Sequence, residues 1–420
     1  MNRSFASDFG IYFHAAREIA AGHSPYVDHQ YVYPPLFALL LAPFSSFHEA
    51  SVLDVWQAIS VTAVAVAVLG TVVMVASKLS PIQRPILFGF CIVTAYHFWP
   101  LDEAFFLGQA DSIVLATLVV ALLASNRLRP IWSGIFAGIA GLMKAWPAGA
   151  ALYFLRRGGQ RGTRSLIAFI STMLLAPLAA LAIGGVLGLA EMFKNVFDAR
   201  TQTWLIGYSV WGIPRIVFSR SNLARAIVIS PQLRDFATLA LLAWVVFLGL
   251  TSLRGAKAEA LTFWHVVACC VLLLPVSHVA YCVYALPILW LWAARVLQVR
   301  TVRVGDLKIV AIFTVIAACW LVLTIAWPTD GSSPRITALS YSVPFIVTLV
   351  ALTASVLGQR FFLGGAPDRE TEAAGSQPGT DRTPAQATQA LSTSRTTEWS
   401  SRHAEPASAI SQRVRGVSQL

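Results

Sequence analysis

The chain has 420 residues, of which 56% are hydrophobic and only 12% charged, with 13 Trp and 24 Phe. A charged fraction about half the ~25% of a soluble domain cannot cover that much apolar side chain, so a water-soluble globule is excluded and lipid is the fitting solvent. The formal net charge of +11 would suit nucleic acid, but the basic residues stand in short clusters between apolar runs, the pattern of cytoplasmic loops, and no nucleic-acid partner is expected.

The first 30 residues lack the continuous apolar stretch of a cleavable signal peptide. They read instead as an amphipathic helix: Ser7 is placed to cap a helix starting at Asp8, and Gly22 is a stop signal. Asp8 falls in the first turn, where the helix dipole favours a carboxylate, and Tyr12 lies one turn on along the same face. An ionised carboxylate at a membrane surface can serve as a general base. It can equally be a helix-capping charge, and local physics alone favours that second reading.

Apolar runs follow near 34–47, 52–76, 86–100, 106–125, 131–155, 165–190, 235–253, 260–275, 279–297, 307–327 and 340–357. A full span takes about 20 residues, so the shorter runs are half-helices or tilted pairs. The expected fold is all-α and polytopic, with about ten membrane helices including short or broken ones. Residues 1–33 form an outer-face helix and loop, 34–358 the transmembrane body, and 359–420 a tail rich in Ser, Thr, Pro, Gln and Ala that is expected to be disordered. The run 34–47 must dip in and return for the parity of the spans to hold.

Basic clusters orient the spans. Lys78 with Arg84, Arg127 with Arg129, the group Arg156, Arg157, Arg161 and Arg164, Arg254 with Lys257, and Arg295, Arg300, Arg303 and Lys308 are all assigned to the cytoplasm. The run 131–155 then enters and leaves on one side. It holds Lys144-Ala145-Trp146-Pro147 near its middle, and Pro147 forbids a regular helical hydrogen bond. Two short helices meeting at a bend, with Lys144 near the outer face, is the preferred reading; one long kinked helix with a snorkelling lysine is the alternative. The same parity puts 191–234 outside as the largest internal loop, puts 328–334 outside, and makes the tail cytoplasmic. Cys91, Cys269, Cys270, Cys282 and Cys319 all lie in apolar segments at spacings that suit neither zinc nor a disulfide framework.

Several stretches together resemble a known family. The opening DFGIYFHAAREIAAGHSPY and YVYPPLFALLLAPF, GQADSIVLATLVVALL at 108–123, WSGIFAGIAGLMKAWPAGAALYFL, and SVWGIPR at 209–215 resemble, in order, the motifs of family 87 glycosyltransferases. These are polyprenyl-phosphate-mannose-dependent mannosyltransferases of the C-type superfamily. Asp111 stands where that family usually has Asn, and Gly207 near the place of a usual Asn. LPVSHVAYCVYALP at 274–287 resembles a Ser-Pro-x-Ser-Trp-x-x-His segment only in part, with His278 at the Trp position and Tyr281 near the His position. The family usually has one transmembrane helix before its catalytic Asp, while only seven residues precede Asp8 here; either the gene start lies further upstream, the preferred reading, or this member lacks that helix.

The resemblance implies an inverting hexosyltransferase with a C-type architecture, acting at the outer face of the cell membrane. Asp8 matches the catalytic base. Lys144, Arg215 and His278 are candidates for the donor phosphate, and Tyr12, Tyr33, Gln109, Asp111, Ser209 and Tyr281 for substrate binding. Arg215 is equally a snorkelling interface residue, His278 a helix-packing hydrogen bond, and Gln109 and Asp111 polar glue between helices. The implied partners are a polyprenyl-phosphate sugar donor, a lipid or glycan acceptor, and membrane lipids. No cofactor or metal is expected: Asp102-Glu103 is the only adjacent acidic pair outside the tail, and a lipid-linked donor has no pyrophosphate for a metal to hold. The competing classes are a secondary transporter and a lipid-sugar flippase. The sequence shows no repeated halves, and its ionisable residues gather near the ends of the spans.

Overall fold

A computed structural model describes residues 5–27, 30–144, 146–199, 207–220, 226–254, 259–274, 277–299, 304–325 and 334–363. Among these every regular element is helical, so the chain is an all-α membrane protein. The expected tail from 364 onward, and 328–333 of the expected outer loop, lie outside the described residues.

The elements in order are α1 (Ser7–Ala20), α2 (Pro35–Leu41), α3 (Glu49–Val75), α4 (Gln83–Tyr96), α5 (Trp99–Leu107), α6 (Asp111–Asn126), α7 (Pro130–Met143) and α8 (Ala150–Arg157). They continue with α9 (Gly159–Met173), α10 (Leu175–Ala199), α11 (Gly212–Phe218), α12 (Pro231–Arg254), α13 (Glu259–Leu273), α14 (Leu286–Gln298), α15 (Val304–Val322) and α16 (Pro334–Leu363). Among the described residues, five stretches are long and apolar enough to cross a bilayer. α5 and α6 make a sixth if counted as one span bent by 118°. α7, α13, most of α15, and α2 with the turn after it are shorter apolar helices. The expectation of about ten counted short and broken helices as well; the long apolar stretches alone number five or six among the described residues.

Composition explains which way the helices face. On α3 the residues Val55, Ile59, Val61, Val66 and Leu69 are exposed, while Ser60, Ala63, Ala67, Gly70 and Thr71 face inward. Large side chains outside and small ones inside is the inverse of a soluble helix, and it fits a lipid solvent. α14 is enclosed on all sides, with Trp290 and Trp292 fully buried. α7 lies closely on α9 because Gly134 and Gly138 leave no room for a Cβ against Ser165, Ala168 and Thr172.

Two ends of the bundle can be told apart. Arg84 Nε donates to the carbonyls of Ala76 and Leu79 just after α3, at 3.1 and 3.3 Å. Arg157 Nη2 donates to Ser125 O in the last turn of α6, at 3.2 Å. Arg156 donates to Leu253 O near the end of α12, and Gln83 to Leu297 O at the end of α14. These side chains satisfy orphan carbonyls at the C-termini of four helices, which therefore finish at one basic end. α6 starts at the opposite end with Asp111, and its 16 residues cover about 24 Å. α7 leaves the basic end after Arg129 and returns to the far end at Lys144, where the backbone is extended (φ −144°, ψ 129°). A 3-10 turn at Trp146–Gly149 and α8 then lead back to Arg156 and Arg157. The run 131–155 is therefore two short helices meeting at a bend.

Two local expectations need correction. α1 begins at Ser7, not Asp8, and has no side-chain cap: Ala6 takes the cap position in left-handed backbone (φ 58°) and its N–H donates to Phe106 O at 2.8 Å. Docking onto α5 thus replaces the predicted serine cap. Within 191–234, expected as a loop, lie the last turns of α10, the whole of α11 and the start of α12, while 200–206 and 221–225 lie outside the described residues.

Candidate active site

The elbow between α5 and α6 positions the site. Gly108 ends α5 in left-handed backbone (φ 70°), and a Cβ there would fall 2.6 Å from the Cβ of Phe9 on α1. Glycine is thus required twice over, for the turn and for the approach of α1. Trp56 of α3 donates from its indole nitrogen to Gly108 O at 3.0 Å, locking the elbow to α3. Gln109 follows at once, and its Nε2 donates to Asp8 Oδ2 at 2.6 Å. Ser7 Oγ donates to the other oxygen, Oδ1, at a long 3.4 Å. Asp8 is only partly buried, and Oδ1 is the oxygen less engaged by protein. Gln109 is 1% exposed and its own Oε1 has no hydrogen-bond partner.

Asp111, two residues on, faces the interior. It is fully buried, as is its partner: Lys144 Nζ donates to Asp111 Oδ2 at 2.7 Å. Tyr284 donates its hydroxyl proton to Asp111 Oδ1 at 2.6 Å. The ammonium sits 4.1 Å from the centre of the Tyr281 ring and 5.9 Å from that of Tyr33, so its positive charge is shared between a carboxylate and π-faces.

Aromatic rings join this ion pair to Asp8. The Tyr12 ring meets Tyr33 edge-on at 4.9 Å and Phe37 at 4.7 Å. The Tyr12 hydroxyl is buried near that of Tyr33 but makes no hydrogen bond of ordinary geometry. Burial, and then the Asp8 carboxylate, pushes the Tyr12 phenol well above its ordinary value, so it stays an O–H donor. Asp8 also acts electrostatically on Tyr33 and on Lys144. Asp8, Tyr12, Tyr33, Gln109, Asp111, Lys144 and Tyr281 therefore form one cluster, drawn from five separate stretches of chain.

The remaining candidates sit at its margin or apart from it. The His278 ring lies 5.9 Å from that of Tyr281, one ring removed from the ammonium. Ser209 is buried, and its Oγ accepts from the Gly212 N–H at 3.2 Å, where it shapes the turn into α11. Arg215 is half-buried on α11, a helix packed against α12 and α16. Asp111 was expected to meet substrate, but both its oxygens are engaged by protein. No group of three or more His, Cys, Asp or Glu among the described residues is placed to hold a metal ion.

Sequence reasoning missed Tyr284, Trp56 and Phe37. For Tyr284 the signal was present, because Tyr281 and Tyr284 are three residues apart. In a 3-10 helix that spacing puts both on one face, and Val279–Ala285 is 3-10. The run 279–297 reads as a single α-helical span, which hides that face.

The site thus lies within a many-helix membrane body, with a part-buried carboxylate and a buried lysine held by neighbouring residues of one elbow. Residues 31–277 match the model of glycosyltransferase family 87. The chain is also 26% identical over 346 residues to a polyprenol-phosphate-mannose-dependent alpha-(1-2)-phosphatidylinositol pentamannoside mannosyltransferase of Mycolicibacterium smegmatis, covering 80% of this chain and 78% of that one. It is 29% identical over 327 residues to a polyprenol-phosphate-mannose-dependent alpha-(1-2)-phosphatidylinositol mannoside mannosyltransferase of the same organism, covering 72% and 68%. The chain belongs to glycosyltransferase family 87, and is a membrane hexosyltransferase. Asp8 and Tyr12 precede the matched range and His278 and Tyr281 follow it, so their roles rest on geometry and motif.

Proposed function

We propose that this protein transfers mannose from a polyprenyl-phosphate donor to the hydroxyl of a lipid-linked glycan at the outer face of the cell membrane, with Asp8 as general base. The observation that carries this reading is the pairing of one short stretch with both groups: Gln109 holds the part-buried Asp8 carboxylate and Asp111, two residues on, holds the buried Lys144 ammonium, with the Tyr33 ring beside both Tyr12 and Lys144. The relatives supply the donor class and the kind of acceptor, a mannosylated phosphoinositide.

The chemistry follows from these positions. The acceptor oxygen attacks the anomeric carbon and its proton passes to Asp8 Oδ1, the oxygen less engaged by protein. The bond from the anomeric carbon to the phosphate oxygen breaks on the opposite side, so configuration inverts. The departing polyprenyl phosphate gains negative charge, which Lys144 stabilises with the N–H groups not given to Asp111. Gln109 fixes Asp8 and offers its unpartnered Oε1 to a sugar hydroxyl. Tyr12 and Tyr33 offer their phenol groups to the sugar, and Tyr281 and His278 close the phosphate side. Arg215 and Ser209 are assigned to the rim, where acceptor headgroups arrive. The basic end of the bundle faces the cytoplasm, so the site, a helix length away, faces outward. Residues 1–33 and most of 191–234 lie outside, and 359–420 inside.

The test is sugar transfer in membranes supplied with radiolabelled polyprenyl-phosphate-mannose and a mannosylated phosphoinositide, comparing wild type with Asp8→Asn. Transfer by wild type, with kcat at least about a hundredfold lower in the variant, supports the base. Equal rates in both would remove Asp8 from the chemistry.

A further inference from the structure

Lys144 is 2% exposed and Asp111 fully buried. A cation in such a place is costly to keep charged unless an anion and good hydrogen bonds hold it. The donor phosphate is present only during turnover, so between turnovers something in the protein must carry that burden. The groups that act on the ammonium, taken element by element, are Asp111 from α6, Tyr281 from the 3-10 segment before α14, Tyr33 from the loop before α2, and Asp8 from α1; Tyr284 from the same 3-10 segment reaches it through Asp111. Asp111 alone makes a hydrogen-bonded ion pair with it among the described residues. Its other oxygen takes the Tyr284 proton, and the Asp111 backbone carbonyl lies 3.3 Å from the same hydroxyl. Tyr284 thus holds the Asp111 oxygen that Lys144 does not.

We infer that Asp111 is a positioning residue, the built-in counter-ion that keeps Lys144 charged and aimed for the donor phosphate, and that Tyr284 is the latch that fixes Asp111. The inference rests on the donor-phosphate role proposed for Lys144. It reassigns Asp111 from sugar contact to the support of a cation. It also explains why the acid sits at the first position of α6: the helix N-terminus stabilises the carboxylate, and the elbow at Gly108 turns that terminus into the site. Asp111 takes one of the three N–H groups, and the Tyr281 ring lies against the ammonium.

The experiment measures kcat and the separate KM values for donor and acceptor in membranes. The proteins are wild type, Asp111→Asn, Asp111→Glu, Tyr284→Phe, Lys144→Met and the double variant Asp111→Asn with Lys144→Met. The expected result is a donor KM raised about tenfold or more in Asp111→Asn with acceptor KM unchanged, a partial return in Asp111→Glu, and a smaller rise of the same kind in Tyr284→Phe. The double variant should be no worse than Lys144→Met alone, since the two side chains act as one unit. Independent losses that multiply in the double variant, or a change in acceptor KM in place of donor KM, overturn the inference. Where Asp111→Asn fails to fold, Tyr284→Phe decides, because it keeps the ion pair and removes one hydrogen bond: an unchanged donor KM there also overturns it. Should Lys144→Met leave donor KM untouched, the reading of Lys144 itself fails; a raised KM there with a normal one in both Asp111→Asn and Tyr284→Phe defeats only the positioning role.

Discussion

Gln109 shows how one buried amide can serve the protein and the substrate at once. Its nitrogen holds Asp8 at 2.6 Å and its oxygen has no partner. Gln109→Leu should therefore release the carboxylate and lower kcat about tenfold with little change in donor KM, read in the same transfer assay. Tyr12 offers a cleaner contrast. Its ring is packed by Tyr33, Phe37 and Trp56, and among the described residues its hydroxyl makes no hydrogen bond of ordinary geometry, its nearest polar neighbour being the Tyr33 hydroxyl. Tyr12→Phe should leave the melting temperature of the purified protein within about 2 °C, because no well-formed hydrogen bond is lost. Transfer should still fall several-fold, since the phenol is a protonated donor across the working pH range. A fall in melting temperature instead would mark the hydroxyl as structural. Most members of this cluster could be picked out in the sequence, through Asp8 in a first turn, a lysine beside a proline, and the Gly-Gln-x-Asp stretch. What could not be read is which of them touch. The Asp111–Lys144 bond joins residues 33 apart, and the Tyr284–Asp111 bond joins residues 173 apart, and no local pattern encodes either.

At the scale of elements, the site depends on two irregularities. The first is the elbow at Gly108, hidden in the sequence inside an apolar run at 106–125 that reads as one span. The clue is glycine followed by polar residues, a helix C-cap next to a new N-terminus; hydrophobicity alone passes straight through it. Gly108→Ala would force a Cβ into left-handed backbone and against Phe9. The expected loss is about 1–3 kcal/mol of stability, seen as a lower melting temperature in detergent, together with loss of transfer as α1 is pushed away from Gln109. The second is the hairpin of α7 and α8, which was legible, because Pro147 breaks the helix and basic residues flank both sides. What the sequence leaves out is the support for that hairpin, the close face of α7 on α9. There Gly138 has no room for a side chain, with Thr172 Cβ 2.5 Å from where its Cβ would stand. Gly138→Leu should separate the two helices and lower stability more than Gly108→Ala does, in the same melting measurement. Equal melting temperatures for Gly138→Leu and wild type would show that α7 is held from elsewhere.

Across the whole molecule, the charges that orient the spans also finish the helices. Arg84, Arg156 and Arg157 were read as loop charges on composition alone; their side chains turn out to satisfy carbonyls at the ends of α3, α12 and α6. Moving these arginines to the other side of the bilayer would therefore cost the hydrogen bonds as well as violate the charge bias, so fold and orientation are coupled. That coupling makes the proposed topology testable with single cysteines in a background where Cys91, Cys269, Cys270, Cys282 and Cys319 are replaced. Ala21, just after α1, and Gln160, at the start of α9 in the basic cluster, are both exposed. In intact cells a membrane-impermeant maleimide should label Ala21→Cys and not Gln160→Cys, and permeabilising the membrane should bring Gln160→Cys up to the same level. The reverse pattern would turn the site to the cytoplasm, where a donor displayed on the outer leaflet cannot reach Asp8. Labelling of both positions in intact cells would mean that the start of α9 and the end of α1 share a side, which the 24 Å length of α6 between Asp111 and its arginine-capped end forbids for a chain folded as described.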